Sequence, residues 1–588
     1  MEILRNIPRA EHPRPDAMRE CWLNLNGEWE FEIDNAVVGL DKHYERRAAL
    51  DEKITVPFSP ESALSGLGYT DFMNAVCYRR TFTLPEGFAG KRTFLHFGAC
   101  DYETTVFVNE KKVGTHKGGY TSFSFDITDA LAEGENVLFV YAFDDVRSGR
   151  QFAGKQSPAF TPSGCLYTRT TGIWQTVWLE ARAAAHVSSY RAFPNIHTPS
   201  VGLQVLVSPA SLGGTLTVTA SYEGKVMGKA CSVIASTAVS VDIVLAEAHL
   251  WEPGEGRLYD LAFTVEKDGA RDEMQGYFGL REVALTKEKG LQINGKTIFG
   301  RFVLDQGYYP DGIITAPSDE DLVRDIEVSM ACGFNGARLH QKVFEVRYLY
   351  HADRLGYMVW GEAGNWGFDY TTFDNLQNFL PEWLEEVERD FSHPAIIGWC
   401  PFNETWDKNG KDYRGHSNAL IDLVYDATKA MDKTRPVVAN SGSLPTNRTD
   451  VHDVHDYEQD PTVFRTHYER LAEGVCLDTL ARRFPTRQVT KSYLPVFVSE
   501  YGGIGWVMSD DETAWGYGES VKTEEEYFAR LEGLTDALLE NEQIFALCYT
   551  QLTDVEHEQN GIMTYDRRMK FPAEKYRRIF TKKAAIEK

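Results

Sequence analysis

The sequence predicts a multidomain protein, all β in its first half and alternating between β and α in its second half. Residues 1–184 and 185–287 contain short segments in which apolar and polar side chains alternate with a period of two, as in strands with one buried face. From 288 to 588, strand-like apolar runs alternate with segments of helical period. At 588 residues, about two to four domains are expected.

The first unit, residues 1–184, is predicted to be a β-sandwich. Alternation is clear in 27–33, 104–108 and 137–141, and turn-like residues separate these segments. Short strands with turns between them are typical of two packed antiparallel sheets. No helical period of useful length occurs here.

The middle unit, residues 185–287, is predicted to be a second and smaller sandwich. Segments 203–207, 215–219 and 239–244 alternate in the same way. A length of about 100 residues suits an immunoglobulin-like sandwich.

The third unit, residues 288–588, has the pattern of an α/β domain. Ser318 and Asp321 form a signal like a capping box, and Leu322, Ile326 and Met330 then recur at helical spacing. The pattern predicts later strands at 395–402, 436–440, 451–454, 495–499 and 544–549, and helices near 343–355, 382–391, 417–431, 464–472 and 523–540. A (β/α)8 barrel is favoured over a doubly wound sheet because polar residues follow many different strands, and no Gly-x-Gly-x-x-Gly motif occurs.

Composition argues against several classes of partner. A net charge of −25 and a pI near 5.1 argue against binding to nucleic acid or to an anionic membrane. The start of the sequence has no apolar segment typical of a secretion signal, and no run approaches the length of a membrane span. The nine cysteines form no Cys-x-x-Cys motif. These features favour a cytoplasmic protein with reduced thiols and without a zinc site.

Two glutamates follow apolar runs in the third unit. Glu404 comes after 395–402, and Glu500 comes after 495–499. In a barrel, residues just past the strands lie on the rim where the chemistry takes place. Two carboxylates on one rim can cleave a glycosidic bond, and a separation of about 5–5.5 Å would give retention of configuration. Four aromatic residues flank the pair: Trp399, Trp406, Tyr501 and Trp506.

These motifs resemble glycoside hydrolase family 2, which includes β-galactosidases, β-glucuronidases and β-mannosidases. The resemblance covers nearly the whole chain. It includes Asn403-Glu404 and Ser499-Glu500-Tyr501-Gly502 of the third unit, 25–29 and 172–179 of the first unit, 250–253 and 278–281 of the middle unit, and the hairpin at 294–296. It implies a jelly-roll sugar-binding domain, an immunoglobulin-like domain and a catalytic TIM barrel.

The resemblance also implies residue roles. Glu404 matches the general acid/base and Glu500 the nucleophile. Asn403 matches the amide that binds the sugar 2-hydroxyl, Arg338 the arginine on the second strand, and Tyr457 the tyrosine that touches the nucleophile. Further expected substrate contacts are His340, Asp305, His455, Glu362 and Tyr549. His340 lies in Arg-x-His rather than Arg-x-x-His, and for Asp305 and His455 a strand-end hydrogen bond is an equally good interpretation.

The substrate is less well defined by the sequence. Family β-glucuronidases have an Asn-x-Lys pair in the last barrel loop, but here Glu558 and Asn560 stand at those positions. Lys342, beside the expected site, could bind a sugar carboxylate instead, or it could begin a helix in solvent. Arg567, Arg568 and Lys570 are further candidates. The short chain, ending after the barrel, favours a glucuronidase-like member.

The leading hypothesis is a retaining exo-β-glycosidase with a β-D-hexuronide substrate. The alternatives are a β-galactosidase or other neutral-sugar β-glycosidase, a non-catalytic carbohydrate-binding protein, and a transglycosylase that shares the covalent intermediate. No cofactor is expected. No metal is expected either, because His452 and His455 would point to opposite faces of a strand. A homo-oligomer is possible by analogy with the family.

Overall fold

The structure is a computed structural model, and it describes residues 7–371, 373–405, 416–442, 446, 448–477, 494–508 and 511–588. Strands and helices are numbered below in chain order. None of the helices in the described part of the chain has the length and apolar character that crossing a bilayer requires.

The first unit forms a sandwich of antiparallel sheets. Its strands are β1 (Trp22–Asn24), β2 (Gly27–Ile33), β3 (Glu52–Val56), β4 (Ala75–Thr83), β5 (Arg92–Phe97), β6 (Cys100–Asp101), β7 (Glu103–Val108), β8 (Lys111–Lys117), β9 (Phe123–Asp126), β10 (Glu135–Phe143), β11 (Gly172–Ile173) and β12 (Val177–Arg182). One sheet has the order β1-β12-β5-β9 and the other β3-β2-β4-β10-β7-β8. Alternating side chains such as Trp29 and Phe31 fill the core between them, so the predicted sandwich is confirmed.

The middle unit is a smaller sandwich with its own core. Its strands are β13 (Val187–Asn195), β14 (Ser200–Val207), β15 (Thr215–Tyr222), β16 (Lys225–Val233), β17 (Ala238–Val244), β18 (Tyr259–Lys267) and β19 (Ala270–Phe278). They form sheets with the orders β13-β14-β17 and β16-β15-β18-β19. The strict alternation of burial in β15 and β17 shows the period that the sequence predicts. The predicted domain boundaries at 184 and 287 stay a prediction.

The third unit begins with a small antiparallel sheet and continues as a parallel α/β domain. Its strands are β20 (Val283–Thr286), β21 (Gly290–Ile293), β22 (Lys296–Thr297), β23 (Gly300–Asp305), β24 (Gly336–Leu339), β25 (Met358–Glu362), β26 (Ile396–Cys400), β27 (His452–Asp456), β28 (Val496–Gly502) and β29 (Ile544–Thr550). Its helices are α1 (Asp319–Ala331), α2 (Val346–Leu355), α3 (Leu376–Asp390), α4 (Asn418–Met431), α5 (Pro461–Thr466), α6 (Glu524–Leu539) and α7 (Ala573–Phe580).

Seven parallel strands curve around the barrel in the order β26-β25-β24-β23-β29-β28-β27. The predicted strand at 436–440 is present only as isolated bridges, in which Val437 and Ser441 pair with residues of the β26 segment. On the other side, the Ser441 hydroxyl bonds to Asp453 and His455 of β27. This segment therefore occupies the eighth position, between the two ends of the sheet, as a (β/α)8 fold requires.

Helix starts in this unit follow local sequence signals. Ser318 and Asp321 form the predicted reciprocal capping box at the start of α1. Pro461 occupies the first position of α5, where its missing N–H costs nothing. The predicted helix at 464–472 is shorter in the structure, since α5 ends at Thr466 and only a 3-10 turn follows at Leu471–Glu473.

The first unit is packed directly against the barrel. Tyr120, Tyr167 and Trp174 belong to the same continuous core as the barrel strands, and each is almost completely buried. A loop of a sandwich domain is thereby brought to the mouth of the barrel.

Candidate active site

Glu404 and Glu500 meet at the carboxyl ends of the barrel strands. Glu500 is buried in β28, and Glu404 follows β26 by four residues. One side-chain atom each from Glu404, His455 and Glu500 all lie within 4.8 Å of one another. This short separation suits a retaining mechanism, in which the two carboxyl groups are about 5–5.5 Å apart.

Arg338, on β24, is the central cation of the site. Its guanidinium donates to Glu500 Oε1 (3.1 Å), to Glu362 Oε2 (2.8 Å) and to Asn403 Oδ1 (2.6 Å). The side chain is 2% exposed, so these charge-assisted hydrogen bonds act where water cannot compete. Arg338 therefore fixes the orientation of three separate side chains of the site.

Glu500 is held in its ionised form. Burial alone would raise the pKa of this carboxyl, but His455, Arg338 and His340 outweigh burial and hold the pKa well below its usual range. Tyr457 also donates to Glu500 Oε2 (2.5 Å). A carboxylate that stays ionised has the protonation state that a nucleophile needs.

Glu404 is in a different environment. Its contact is with His455, whose Nδ1 lies 2.8 Å from Glu404 Oε1, and its side chain is 21% exposed against 5% for Glu500. Its backbone has a φ of 44°, in the left-handed region that a non-glycine residue rarely adopts. The two carboxyl groups therefore lie in different environments, with Glu500 buried among donors and Glu404 partly open to solvent beside His455.

Histidine 455 links the two glutamates. Its Nδ1 also lies 3.3 Å from Glu500 Oε2, and its Nε2 lies 2.9 Å from the Ser441 hydroxyl. Burial lowers its pKa, but Glu500 and Glu404 outweigh burial and raise the pKa overall. Glu404, His455 and Glu500 also have the ligand types and spacing of a divalent-cation site. The hydrogen bonds that Tyr457 and Arg338 donate to Glu500 fit a nucleophile as well as the three ligand types fit a cation site.

Asn403 has a free amide donor in this site. Its Oδ1 accepts from Arg338, while its Nδ2 is buried without a hydrogen-bond partner among the described residues. Its backbone is held by Asn365 Oδ1 and by the indole N–H of Trp366. A buried N–H donor without a hydrogen bond costs free energy. A rigid amide of this kind is therefore suited to bind a ligand hydroxyl.

Tyr457 is fixed by stacking on Tyr517. The two rings are parallel, with centroids 3.5 Å apart. Tyr517 lies in the loop after β28 and was not among the predicted site residues. An aromatic residue in a loop has no sequence pattern that predicts which ring it stacks on.

Glu362 and His340 pair with each other beside Arg338 and Glu500. His340 Nδ1 lies 2.9 Å from Glu362 Oε1, and its Nε2 lies 4.0 Å from Glu500. Burial raises the pKa of Glu362, but Arg338 and His340 outweigh burial and lower the pKa to about 2. Glu362 contacts Arg338 rather than the space between the two glutamates, so its geometry is that of a positioning residue.

Replacing Glu362 with Gln is expected to destabilise the fold, because Arg338 would lose a buried partner at a cost of about 3–5 kcal/mol. A pKa lowered from 4.5 to about 2 contributes stability that is complete above pH 4.5 and is lost as the pH falls towards 2. Chemical denaturation from pH 7 downwards should show the difference in unfolding free energy between the two proteins shrinking in that interval. Exposed Glu327→Gln is the matched control, and a pH-independent difference would contradict this role.

Three predicted substrate contacts have hydrogen bonds to other groups of the barrel. Asp305, at the end of β23, accepts from Gly307 N and from the Tyr348 hydroxyl. Lys342 donates to the carbonyls of Gly307 and Ile314, and its burial lowers its pKa to about 8. It is 3% exposed, which excludes the interpretation as a solvated helix start. Tyr549 is buried in β29 and shares a hydrogen bond with Tyr527.

The flanking aromatics also point elsewhere. The Trp399 indole donates to Asp432, and the Tyr501 hydroxyl bonds to Thr535, both on the outer side of the strands. Trp506 packs in a half-buried position against the barrel core. Trp406 lies outside the described residues.

Lys155 lies near the site without any sequence signal that predicts it. It belongs to a loop of the first unit, yet it is buried, and its ammonium lies 4.1 Å from the centre of the Trp366 ring, which follows β25 of the barrel. No sequence pattern identifies it, because its position depends on how one domain packs on another.

Two family models match the chain. The model described as "Glycosyl hydrolases family 2, sugar binding domain" matches residues 68–179. The model described as "Glycosyl hydrolases family 2, TIM barrel domain" matches residues 286–584, which is half of the chain.

Curated relatives are distant in sequence. A β-galactosidase from Thermoanaerobacter pseudethanolicus is 25% identical over 62% of this chain and 48% of its own length. A β-glucuronidase from Chlorocebus aethiops is 23% identical over 84% of this chain and 79% of its own length. This chain spans about half the length of the β-galactosidase relatives, including one from Bacteroides ovatus.

Solved structures share the fold over the whole chain. A β-glucuronidase from Ruminococcus gnavus in complex with a C6-substituted uronic isofagomine has a TM-score of 0.79 and 17% identity, covering 98% of this chain and 100% of that chain. A β-glucuronidase from Bifidobacterium dentium complexed with coumarin-3-O-glucuronide has a TM-score of 0.78 and 20% identity, covering 97% and 99%.

Proposed function

The chain belongs to glycoside hydrolase family 2, and from this premise we propose that it is a retaining exo-β-glycosidase acting on a terminal β-D-hexuronide. The observation that carries the proposal is the approach of Glu404 and Glu500 to within 4.8 Å, with opposite environments. Of two such carboxyl groups, the buried and ionised one can act as nucleophile, and the more exposed one can act as acid/base.

The proposed reaction is a double displacement. Glu500 attacks the anomeric carbon while Glu404 gives its proton to the departing glycosidic oxygen, and a covalent glycosyl-enzyme forms. Glu404, now ionised, takes a proton from water, and the water attacks the anomeric carbon and releases Glu500. Passing the sugar to another sugar instead of water would use the same intermediate.

Four neighbouring side chains are proposed to act on the sugar and on the two carboxyl groups. The free Nδ2 of Asn403 would donate to the 2-hydroxyl, a bond that strengthens as positive charge develops at the anomeric carbon. Arg338 and Tyr457 keep Glu500 ionised before the attack. His455 links the two carboxylates, and its raised pKa lets it balance their charge as the proton moves.

The hexuronide is the leading substrate because relatives and structural neighbours named β-glucuronidase align along most of the chain. Neutral sugars are the second candidate, since β-galactosidases are also among the relatives and Glu558 occupies a position expected for Asn in family β-glucuronidases.

The remaining proposals concern context. The first unit is proposed to be a jelly-roll sugar-binding domain, and the domains to span 1–184, 185–287 and 288–588. A cytoplasmic location is proposed because all nine cysteines are free thiols, six of them buried. A homo-oligomer stays a proposal by family analogy.

A panel of nitrophenyl β-glycosides tests the substrate class. The glucuronide and galacturonide are expected to give the highest kcat/KM, at least about tenfold above the glucoside, galactoside and mannoside, since each good ionic contact is worth more than a factor of ten. Proton NMR of the first-formed sugar should show the β anomer. A preference for a neutral sugar would favour the second candidate, an inverted product would contradict the mechanism, and absence of any hydrolysis would favour a non-catalytic binding protein.

A further inference from the structure

Among the described residues, the basic side chains that the sequence suggests for the barrel mouth already have partners, and Lys155 differs from them. Each of the following basic side chains bonds to a carboxylate or to backbone carbonyls: Arg338 to Glu362 and Glu500, Lys342 to Gly307 and Ile314, Arg567 to Asp325, Arg568 to Asp566, and Lys570 to Asp554. The basic residues that the sequence offers for a sugar carboxylate are therefore engaged in holding the protein together.

Lys155 is the exception. It is only 5% exposed, yet within the described residues its ammonium makes no ion pair within 4.0 Å and no hydrogen bond. The ammonium lies 4.1 Å from the centre of the Trp366 ring, a cation–π contact. Burial lowers its pKa, but Cys165, Glu558, Glu500 and Glu404 outweigh burial and raise the pKa, so the ammonium stays charged.

The loop that carries Lys155 is locked onto the barrel. Ala153 N donates to Trp366 O (2.9 Å), and Gly154 N donates to Gly364 O (3.0 Å). Gly154 has a φ of +53°, and a Cβ at this position would lie 2.2 Å from the carbonyl oxygen of Gln341. Only glycine allows this close approach, so the position of Lys155 is set by backbone contacts and does not depend on a ligand.

Trp366 connects Lys155 to the catalytic pair. Its ring contacts the ammonium, while its indole N–H donates to the carbonyl of Asn403 (3.0 Å), the residue before Glu404. Glu558 makes no ion pair with the ammonium within 4.0 Å, and its carboxyl accepts from the Tyr167 hydroxyl (2.6 Å) and from Asn560 (3.3 Å).

We propose that Lys155, supplied by the first unit, binds the carboxylate of the terminal hexuronide in the active site. An ammonium on a residue that is only 5% exposed, with no acceptor among the described residues, gains most from an anionic partner. The inference rests on the proposed function for its ligand. It assigns the recognition of the acidic group to a sandwich loop, since the residues of the last barrel loop are Glu558 and Asn560.

Kinetics of Lys155→Met on paired substrates test the proposal. Met keeps the length of the side chain and removes its charge. We expect kcat/KM for nitrophenyl β-glucuronide to fall about 100-fold, and kcat/KM for nitrophenyl β-glucoside to change less than about threefold, because the neutral sugar has no carboxylate to lose. Lys155→Arg should restore part of the loss. Exposed Lys112→Met, on β8 of the same unit, is the matched control, and thermal unfolding verifies that each variant is folded.

Binding of D-glucuronic acid, measured by calorimetry with D-glucose as comparison, separates this proposal from the proposed function. If Lys155→Met removes a preference for glucuronic acid in a protein that hydrolyses no glycoside, the carboxylate contact stands and the enzyme assignment fails. If the native protein hydrolyses neutral glycosides but binds glucuronic acid no better than glucose, the enzyme assignment stands and the proposal is wrong. Equal losses on acidic and neutral substrates would also overturn it.

Discussion

Replacing Glu500 with Gln is expected to lower kcat/KM on the best aryl β-glycoside by about 10⁴-fold or more, since removal of a covalent nucleophile has effects of this size. Glutamine keeps the shape of the side chain and one of its two acceptor oxygens, but it cannot form the acylal bond to the sugar. Single-turnover and steady-state kinetics measure the loss.

Trapping experiments make this prediction specific. A 2-fluoro sugar inactivator of the best substrate type should add one sugar to the native protein, on the peptide that contains Glu500. The Glu500→Gln variant should not be labelled. Exposed Glu525→Gln, in the first turn of α6, is the control and should behave like the native protein. Labelling of Glu500→Gln, or activity within tenfold of native, would show that the nucleophile lies elsewhere.

Replacing Glu404 with Gln is expected to give a loss that depends on the leaving group. For a nitrophenyl glycoside, kcat/KM should fall about 10²–10⁴-fold, the usual contribution of a general acid. For a dinitrophenyl glycoside the loss in kcat/KM should be much smaller, because this phenolate departs without a proton. The second step still lacks its base, so a burst of dinitrophenol followed by a slow steady state is expected.

External azide provides the decisive control for Glu404. A small anion needs no base to attack the glycosyl-enzyme, so azide should raise kcat of Glu404→Gln and yield a β-glycosyl azide, without accelerating Glu525→Gln. Equal losses for both leaving groups, or no response to azide, would mean that Glu404 only supports the site. His455 should remain in place in this variant, since Ser441 still bonds to its Nε2.

The local patterns of the chain predicted most of the fold. Alternation in segments such as 27–33 and 203–207 marks strands whose one face is buried, and those strands form the two sandwiches. The helical spacing of Leu322 and Ile326 likewise matches α1. The segment 436–440 differs because its pairing consists of isolated bridges, and an apolar run alone cannot distinguish these from a regular strand.

The candidate site was predictable where it depends on strand ends. Glu404 and Glu500 follow or belong to parallel strands, and those strand ends must meet at one rim, whereas Asn403 and Arg338 were expected from the family resemblance. Lys342 shows where this reasoning stops. It follows the same strand as Arg338, but the chain turns, and its ammonium satisfies two backbone carbonyls. The position of Lys155 could not be predicted from the sequence, because it depends on the packing of two domains against each other.

The locked loop at Gly154 has a consequence for engineering. A barrel produced alone, as residues 288–588, would expose Trp366 and lose the only ammonium that is proposed to recognise the substrate, while retaining both glutamates. Such a fragment would also lose Tyr120, Tyr167 and Trp174 from its core, so a graft of the 151–157 loop into the intact chain is the change expected to alter the sugar preference. On the proposed roles, the barrel carries out the cleavage, and the first unit selects the sugar.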